Sequence, residues 1–472
     1  MSFYAARPTF ATVLRSFASA DGLAFGDALS EADIQQACDA EGVHFGQGEQ
    51  DVYSPAVTLW AFLAQCLSAS KSCVSAVARV LVLRVALGLP PCGAGSGAYC
   101  KARAKLPETL LRRLTLQVGA AVEGQAPDAW RWQGRRVLLA DGAELSMPDT
   151  PANQQAYPQL RNQKPGLGFP RLRLVVLLAF ATASLIGAAL GPCKGKGTGE
   201  TELFRALLEQ SEVGDVVVAD RYYCTWWIVA LLARCGADAC FRLHQLRRYD
   251  FRQGRRLARG DHVVSWPKPA RPAWMDADTY AALPDALAVR EVRVVVNTPG
   301  SRVRDFVAAT TLLDAAQYSA ADIATLYHHR WHVELDIRAI KKTLKMDILR
   351  CKSPEMVRRE VWAHLLAYNL ARKVLAQAAV AGGVTPRQLS FAGAVQTLNA
   401  FCWLLSVGAG PDGGQLVAAL LVAVATHAVG HRPGRVEPRE VKRRQKVRLL
   451  TKPRAQRRAE LLKGGRTKAA KR

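Results

Sequence analysis

The chain has 472 residues, which is enough for two to four domains and at least one large buried core. Half of the residues are hydrophobic and 22% are charged, as is usual for a folded soluble protein. The charge balance is unusual, because 64 Lys and Arg against 39 Asp and Glu give a net charge of +25. This surplus favours a polyanionic partner, with nucleic acid the leading candidate and an anionic membrane surface the second.

The cysteines and the apolar runs argue against several other classes of protein. None of the eleven cysteines forms a C-x-x-C pair, and the closest two, Cys235 and Cys240, have no nearby histidine pair to complete a zinc site. We therefore expect reduced thiols in a cytoplasmic protein. The run Leu174–Gly191 is long enough to span a bilayer, but its Thr, Ser and Gly residues predict two buried strands joined by a tight turn around Ala181–Ser184. We expect no transmembrane segment.

Residues 1 to about 130 are predicted to be helical. Ser30 is a candidate helix N-cap, and Val57–Ser68 and Ser75–Leu87 carry apolar residues at helical spacing. Another helix begins near Leu106. An aromatic residue and three cations between residues 96 and 106 suggest that this part also touches DNA.

The pattern then changes to strands. Short apolar runs occur at Val137–Ala140, Leu172–Phe180, Leu185–Leu190 and Val216–Ala219, and Glu200–Gln210 has a helical pattern. Continuous apolar strands bounded by helices predict a mixed sheet that is covered on both faces.

The remainder divides into an irregular stretch, more helices and a basic end. Residues 241–303 contain five prolines and the strand-like run Val292–Val296, which predicts a β-rich insertion. Strong helical patterns return at Ala320–Thr343 and Ser353–Ala379. The last 41 residues, Arg432–Arg472, carry 17 Lys or Arg against three Glu. We predict a tail that is mobile until it meets nucleic acid, with a merely solvated tail as the alternative.

Two aspartates follow apolar strands. Asp141 comes directly after Val137–Ala140, where a carboxylate is costly to desolvate unless a metal or a hydrogen-bond donor compensates. The alternative is a turn-forming Asp before Gly142. Asp220 repeats the arrangement after Val216–Ala219. Two such residues on adjacent strands would direct their carboxylates to one place.

The helix after the predicted insertion carries a spaced set of polar residues. Tyr327, Arg330, Glu334 and Lys341 follow the pattern Y-x(2)-R-x(3)-E-x(6)-K, and steps of three, four and seven return to one helical face. A solvated ion-pair face is the alternative, and it would account for Arg330 and Glu334 alone. It does not account for the tyrosine, the lysine and two strand-end aspartates occurring with them.

Together these residues resemble the bacterial DDE transposases of the insertion-sequence-four type. The helix motif is similar to that family's full signature, and Val217–Arg221 is similar to the segment that bears its second aspartate. Leu138–Gly142, followed by Asn162–Pro170, resembles the region of the first aspartate. Arg435–Arg444 resembles the usual C-terminal segment of the family.

The resemblance implies an RNase H-like mixed-sheet core, interrupted by the β-rich insertion between the second and third acids. It implies that Asp141, Asp220 and Glu334 are catalytic and hold two Mg²⁺ ions, for which Mn²⁺ would substitute. One ion would activate a water or a 3′-hydroxyl, and the other would stabilise the leaving oxygen of a phosphoryl transfer. Three carboxylates without a histidine make an oxygen-only site, which favours these metals over zinc.

The same resemblance implies contacts to DNA. Arg330 and Lys341 would bind phosphates at the transposon end, and Tyr327 would pack or hydrogen-bond beside them. Arg221, next to the second aspartate, is a further DNA-binding candidate.

Relatives of this type cleave through a hairpin intermediate, in which a flipped base stacks on an aromatic side chain. Trp266 and Trp274 in the insertion are candidates for that role, and packing of the insertion's own core is the alternative. The implied partners are inverted-repeat ends and target DNA, bound by a homodimer in a synaptic complex, with no membrane. The implied location is the bacterial cytoplasm, in association with the nucleoid.

We therefore interpret the sequence as that of a cut-and-paste transposase. The rival functions are an RNase H-like nuclease without strand transfer and a catalytically dead DNA-binding derivative. The expected organisation is a helical N-terminal DNA-binding domain (1–130), the first part of the catalytic core (131–240), the β-rich insertion (241–303), the second part of the core with the Glu helix (304–380), a C-terminal helical region (381–431) and a basic, disordered tail (432–472).

Overall fold

The computed structural model describes residues 7–19, 23–48, 50–160, 164–195, 197–296, 305–408, 413–430 and 451–463. The helices are α1 (Phe10–Arg15), α2 (Glu31–Ala40), α3 (Pro55–Leu67), α4 (Cys73–Ala86), α5 (Gly97–Arg103), α6 (Glu108–Gly124), α7 (Pro151–Ala156), α8 (Glu200–Arg205), α9 (Trp226–Arg234), α10 (Ala277–Ala281), α11 (Ala320–His328), α12 (Trp331–Arg338), α13 (Pro354–Ala381), α14 (Phe391–Val407), α15 (Gly413–Ala425) and α16 (Arg454–Lys463). The strands are β1 (Val137–Ser146), β2 (Arg171–Ala179), β3 (Leu185–Pro192), β4 (Val216–Ala219), β5 (Asp238–Arg242), β6 (Arg255–Ala258), β7 (Asp261–Pro267), β8 (Ala286–Val295) and β9 (Asp305–Thr310).

The strands form one mixed sheet in the order β3-β2-β1-β4-β5-β9-β8-β7-β6. β1, β4 and β5 run parallel, whereas β2 and β3 are antiparallel to their neighbours. This arrangement of the first five strands is that of an RNase H-like core, so the predicted fold class is confirmed. β9 pairs antiparallel with β5 and then with β8, which means that the strands of the insertion extend the core sheet.

The central strand β1 shows why the sheet is covered on both faces. Val137 and Leu139 belong to one buried cluster, and Leu138 and Ala140 belong to the other. Successive side chains of a strand point to opposite faces, so a continuous apolar run needs an apolar cover on each side. Helices α12 and α13 belong to the first cluster, and α8 and α9 belong to the second.

The helix predicted over Ala320–Thr343 is interrupted in the structure. α11 ends at His328 and α12 begins at Trp331, because the amides of Arg330 and Val333 donate to the carbonyls three residues earlier, at 3.0 and 3.1 Å. Bonds of this kind tighten a helical turn. After α12 the chain forms a π-helical turn over Ala339–Thr343. Tyr327 lies in α11, Glu334 in α12 and Lys341 in the π-helical turn, and Arg330 occupies the N-cap position of α12. The four motif residues therefore do not share one regular helix.

The helices that precede β1 do not have a core of their own. α3 and α6 pack against the long helix α13, most of whose residues are buried. The resulting cluster runs from Phe10 near one end of the described chain to Val424 in α15. Ser30 caps α2 as predicted, with its hydroxyl accepting from the Asp33 amide at 3.1 Å. The N-terminal helices are thus anchored on the segment that follows the Glu helix.

Two other expectations concern the membrane and the tail. Within the part of the chain that the structure describes, no helix is long and apolar enough to cross a membrane. Leu174–Gly191 instead forms parts of β2 and β3 with a tight turn between them, as predicted. The basic tail lies mostly outside the described residues, and its described part contains α16. Arg435–Arg444 also lies outside them.

Candidate active site

The two aspartates lie at the same level of the sheet. β1 and β4 pair in parallel with Ala140 opposite Ala219, so Asp141 and Asp220 are the next residues of neighbouring strands. Adjacent strands are about 4.8 Å apart. By the alternation along each strand, both side chains belong to the face of Leu139 and Val218, which is the face that α12 covers.

Each aspartate is held by the backbone that follows it. Asp141 Oδ1 accepts from the amide of Gly142 at 2.8 Å, and Asp220 Oδ1 accepts from the amide of Arg221 at 2.7 Å. Asp220 also caps a short 3₁₀ turn that ends at Tyr223. The expectation that Asp141 ends its strand is wrong, because β1 continues through it to Ser146, whereas Asp220 does follow β4 and caps a turn. Each of the two amide contacts uses one carboxylate oxygen.

Arg330 joins the first aspartate to the third acid. Its guanidinium Nη2 donates to Glu334 Oε1 at 2.6 Å, and its Nη1 lies 3.9 Å from Asp141 Oδ2. The Arg330 side chain is only 18% exposed, whereas those of Asp141 and Glu334 are 23% and 36% exposed. Asp141 and Glu334 are 193 residues apart in the chain, but in the structure both lie beside the Arg330 guanidinium. Asp220 lies at the same level of the sheet as Asp141.

The surroundings of Asp141 disfavour its ionised form. Burial raises its pKa from the ordinary 3.8 to about 6, and the nearby carboxylates of Glu200 and Glu334 act in the same direction. The Gly142 amide and the Arg330 guanidinium lower that pKa, but they do not cancel the effect of burial. A carboxylate in this state gains from any additional cation, because a positive charge favours its ionised form.

The donor set fits a hard divalent cation. Asp141, Asp220 and Glu334 offer oxygen ligands only, which suits Mg²⁺ or Mn²⁺. In this conformation, no three His, Cys, Asp or Glu side chains of the described residues are close enough together to hold one metal ion. Glu334 is directed to Arg330, whose guanidinium lies between Glu334 and Asp141.

The other two motif residues have different surroundings. Tyr327 is buried in α11, where its ring packs on Phe306 with centroids 4.8 Å apart, and burial raises its pKa. Lys341 is half-buried in the π-helical turn, and burial lowers its pKa. It lines a groove of about 490 Å³ together with Arg171 and Lys342. Tyr327 thus lies beneath the site, whereas Lys341 faces an open groove.

The structure separates the two candidate tryptophans. Trp266 is 3% exposed, its indole N–H donates to Glu291 at 3.1 Å, and Arg247 lies 3.7 Å from its ring centre. This matches the alternative that it packs the insertion's core. Trp274 is 42% exposed, with the Arg205 guanidinium 3.8 Å from its ring centre. Trp274 is thus the more accessible of the two rings, whereas Trp266 lies beneath other groups.

Two features of the site were missed by the sequence reasoning. The first is Glu200, whose carboxylate accepts from the Tyr223 hydroxyl at 2.6 Å. The second is the buried Asp336, which pairs with Arg372 at 2.7 Å and with Arg387 at 3.0 Å. Asp336 lies two residues after Glu334, so it faces away from the acids and fixes the back of α12. In the sequence, Asp336 could have been recognised as a charged residue on the apolar side of a helix.

The chain is similar in sequence to known proteins. A family model described as the transposase DDE domain matches residues 132–370. The chain is 29% identical over 300 residues to transposase InsG for insertion sequence element IS4 of Escherichia coli strain K12, which covers 62% of this chain and 64% of that protein. It is 39% identical over 65 residues to the transposase for insertion sequence element IS421 of Escherichia coli, covering 14% and 18%.

The chain thus spans less than two thirds of the length of the curated relatives that it matches. Among solved structures, the cryo-EM structure of a piggyBac transposase synaptic complex with hairpin DNA matches over 91% of this chain and 88% of that chain. The TM-score of that match is 0.42 and the sequence identity is 8%.

Proposed function

We propose that this chain, which belongs to the transposase DDE domain family, is a DNA transposase that cuts and rejoins DNA strands at inverted-repeat ends. One observation supports this function best. Asp141 lies within β1, Asp220 directly follows the neighbouring parallel strand β4 at the same level, and Arg330 connects Asp141 to Glu334 on the helix that covers them. Three acids from distant parts of the chain are thereby gathered at one edge of an RNase H-like sheet.

We assign Asp141, Asp220 and Glu334 as the catalytic residues and as the ligands of two Mg²⁺ ions, for which Mn²⁺ can substitute. Bound ions of this kind supply Lewis-acid activation of the attacking oxygen and stabilise the leaving oxygen. The chain's own contribution is placement. Two rigid strands fix the aspartates, and α12 presents Glu334 from above the sheet.

Arg330 has two roles in this proposal. Without DNA it neutralises part of the charge of Asp141 and Glu334, which otherwise repel each other. A DNA phosphate that enters the site competes for the same guanidinium, because phosphate and carboxylate both accept paired N–H donors. Transfer of Arg330 from Glu334 to a phosphate frees the third carboxylate at the moment when substrate arrives.

The DNA would follow the basic groove beside the acids. Arg171, Lys341 and Lys342 line that groove together with the acids Glu144 and Asp347. Lys342 pairs with Asp347 at 2.7 Å, so Arg171 and Lys341 are the cations that we propose meet phosphate. Arg221 is half-buried directly after Asp220 and lies on the same edge of the sheet. The overall charge of +25 and the seven arginines between residues 241 and 260 extend the positive surface, and phosphate contacts supply most of the affinity of such interfaces.

The finer parts of the proposal concern assembly and the reaction path. We propose that a homodimer holds two transposon ends, that the N-terminal helices also contact DNA, and that cleavage passes through a hairpin. Trp274 is the better placed of the two tryptophans to stack on a flipped base, because its ring is partly exposed whereas Trp266 is buried.

The test uses the full chain and a duplex that ends in the inverted repeat found beside the reading frame in genomic DNA. Wild type should nick this end in Mg²⁺ or Mn²⁺ and should join a precut end to target DNA. Asp141→Asn, Asp220→Asn and Glu334→Gln should bind the end but not cut it. Asp285→Asn, a fully exposed acid of the insertion, is the matched control and should cut normally.

The rival functions correspond to different results of this experiment. Cleavage without joining of precut ends would indicate a nuclease that lacks strand transfer. Binding of the repeat without any cutting by wild type, in either metal, would indicate a catalytically dead DNA-binding protein. Both results would refute the proposed function.

A further inference from the structure

Glu200 lies behind the strand that carries the first aspartate. It is the first residue of α8, on the face of the sheet opposite to α12. A Cβ placed on Gly142 would lie 2.5 Å from the Glu200 carboxyl carbon and 2.7 Å from its Oε1. Real Cβ atoms do not approach other atoms so closely, so only glycine at position 142 allows this carboxylate to rest on the backbone of β1. The residue before Gly142 is Asp141.

The same carboxylate is tied to the segment of the second aspartate. Glu200 Oε1 accepts a hydrogen bond of 2.6 Å from the hydroxyl of Tyr223, which ends the 3₁₀ turn that Asp220 caps. The Tyr223 ring is fully buried and packs edge-on against Phe204 of α8, with centroids 4.7 Å apart. The tyrosine can therefore hold its hydroxyl in one place.

These contacts make Glu200 a bridge between two catalytic segments. It touches β1 at Gly142 and the turn after β4 through Tyr223, and no cation of the described residues forms an ion pair with it. The Tyr223 hydroxyl supplies a hydrogen bond to this half-buried carboxylate in place of a cation. Groups that orient metal ligands from behind commonly change metal affinity by 10- to 100-fold when they are removed.

We propose that Glu200 is a positioning residue, which holds Asp141 and Asp220 at the separation that a divalent ion requires. It acts from the back of the sheet through Gly142 and Tyr223 and does not itself bind the ion. This inference rests on the proposed function, because it assumes that the two aspartates are metal ligands.

The test is Mn²⁺ binding to the full chain without DNA, measured by the loss of the free-ion signal in electron paramagnetic resonance. Glu200→Ala should weaken Mn²⁺ binding by about tenfold. Glu200→Gln should restore most of the affinity, because its amide oxygen still accepts from Tyr223 and still fills the space over Gly142. Glu202→Ala, on the same helix, is the matched control and should bind Mn²⁺ like wild type.

Tyr223→Phe is the second variant, and it keeps the inference testable if Glu200→Ala does not fold. It removes the hydroxyl but keeps the packing on Phe204, so Mn²⁺ binding should weaken while the melting temperature changes little. Wild-type Mn²⁺ affinity in a folded Glu200→Ala protein, or in Tyr223→Phe, would overturn the inference. A Glu200→Gln protein as defective as Glu200→Ala would also overturn it, because charge and not position would then matter.

Failure of the inference is distinguishable from failure of the proposed function. If Asp141→Asn abolishes Mn²⁺ binding but Glu200→Ala does not weaken it, the metal centre stands and only the role of Glu200 is wrong. If Asp141→Asn binds Mn²⁺ like wild type, the proposed centre itself is wrong, whatever Glu200 does.

Discussion

Asp141→Asn should stabilise the metal-free protein although it abolishes catalysis. Burial and neighbouring carboxylates hold the pKa of Asp141 at about 6, compared with the ordinary 3.8. Each pKa unit corresponds to about 1.4 kcal/mol, so ionising this group in the folded state costs at most about 3 kcal/mol. The asparagine has no charge to desolvate and can still accept from the Gly142 amide.

The stability difference between the variant and wild type should depend on pH. The pKa is raised in the folded state, so below about pH 4 the group is protonated in both states and the wild type loses nothing. Between pH 4 and 6 the unfolded chain ionises first, and the wild type becomes progressively less stable. Above pH 6 the full difference remains. The variant should therefore gain melting temperature over wild type at pH 8 and converge with it towards pH 4.

The assay is thermal unfolding in EDTA at several pH values, followed by circular dichroism. A difference of up to about 3 kcal/mol corresponds to roughly 6–12 °C for domains of 150–250 residues. Mn²⁺ should stabilise wild type but not the variant, since it binds only the folded carboxylate site. A variant that melts at or below wild type at pH 8, or a difference that is the same at every pH, would refute the reasoning.

Three further predictions test individual contacts. Arg330→Ala should weaken binding of the inverted-repeat end and lower the slope of log affinity against log salt by about one, and an unchanged slope in a salt titration would refute its assignment to phosphate. Asp336→Asn should destabilise the fold by about 3–5 kcal/mol in urea denaturation, because it leaves Arg372 and Arg387 buried without their anion, and a loss below about 1 kcal/mol would contradict this. Trp266→Ala should cost about 3–5 kcal/mol of stability, because the side chain is buried. Trp274→Ala should leave stability within about 1 kcal/mol of wild type, but it should slow the resolution of a preformed hairpin end. Equal effects of the two tryptophan variants would contradict the distinction.

The sequence was most informative where the pattern was local. Apolar runs at Val137–Ala140 and Val216–Ala219 identified the two central strands, because a strand that is buried on both faces has no polar residues to alternate. The acids that directly follow these runs could be placed at one sheet edge once the strands were assumed to be neighbours. The resemblance to the insertion-sequence-four type of DDE transposase is confirmed by the family match and by the IS4 relative.

The features that could not be predicted from the sequence are contacts between segments that are distant along the chain. Glu200 rests on Gly142, 58 residues away, and nothing in either local pattern shows that α8 covers the end of β1. Asp336 obtains its partners from Arg372 and Arg387, which come from two later segments. The interruption between α11 and α12 was missed for a different reason. The apolar spacing continues through it, and only the hydrogen bonds change from four-residue to three-residue steps.

The interruption has a consequence for the signature motif. On one regular helix the four residues would form a single stripe, but in the structure Tyr327 is buried beneath the site and Lys341 lines the neighbouring groove. Among the described residues, Arg330 and Glu334 form the one side-chain ion pair within the motif. Under the proposed function, the motif would combine a support, a phosphate-binding cation, a metal ligand and a groove residue, which are roles that call for different chemical types.

Anomalous diffraction from Mn²⁺-soaked crystals of the complex with end DNA tests the central claim most directly. The account predicts manganese peaks within about 2.5 Å of carboxylate oxygens from Asp141, Asp220 and Glu334, with Arg330 moved from Glu334 to a DNA phosphate. Manganese bound elsewhere, or an end complex in which Glu334 still pairs with Arg330 and contacts no metal, would contradict it.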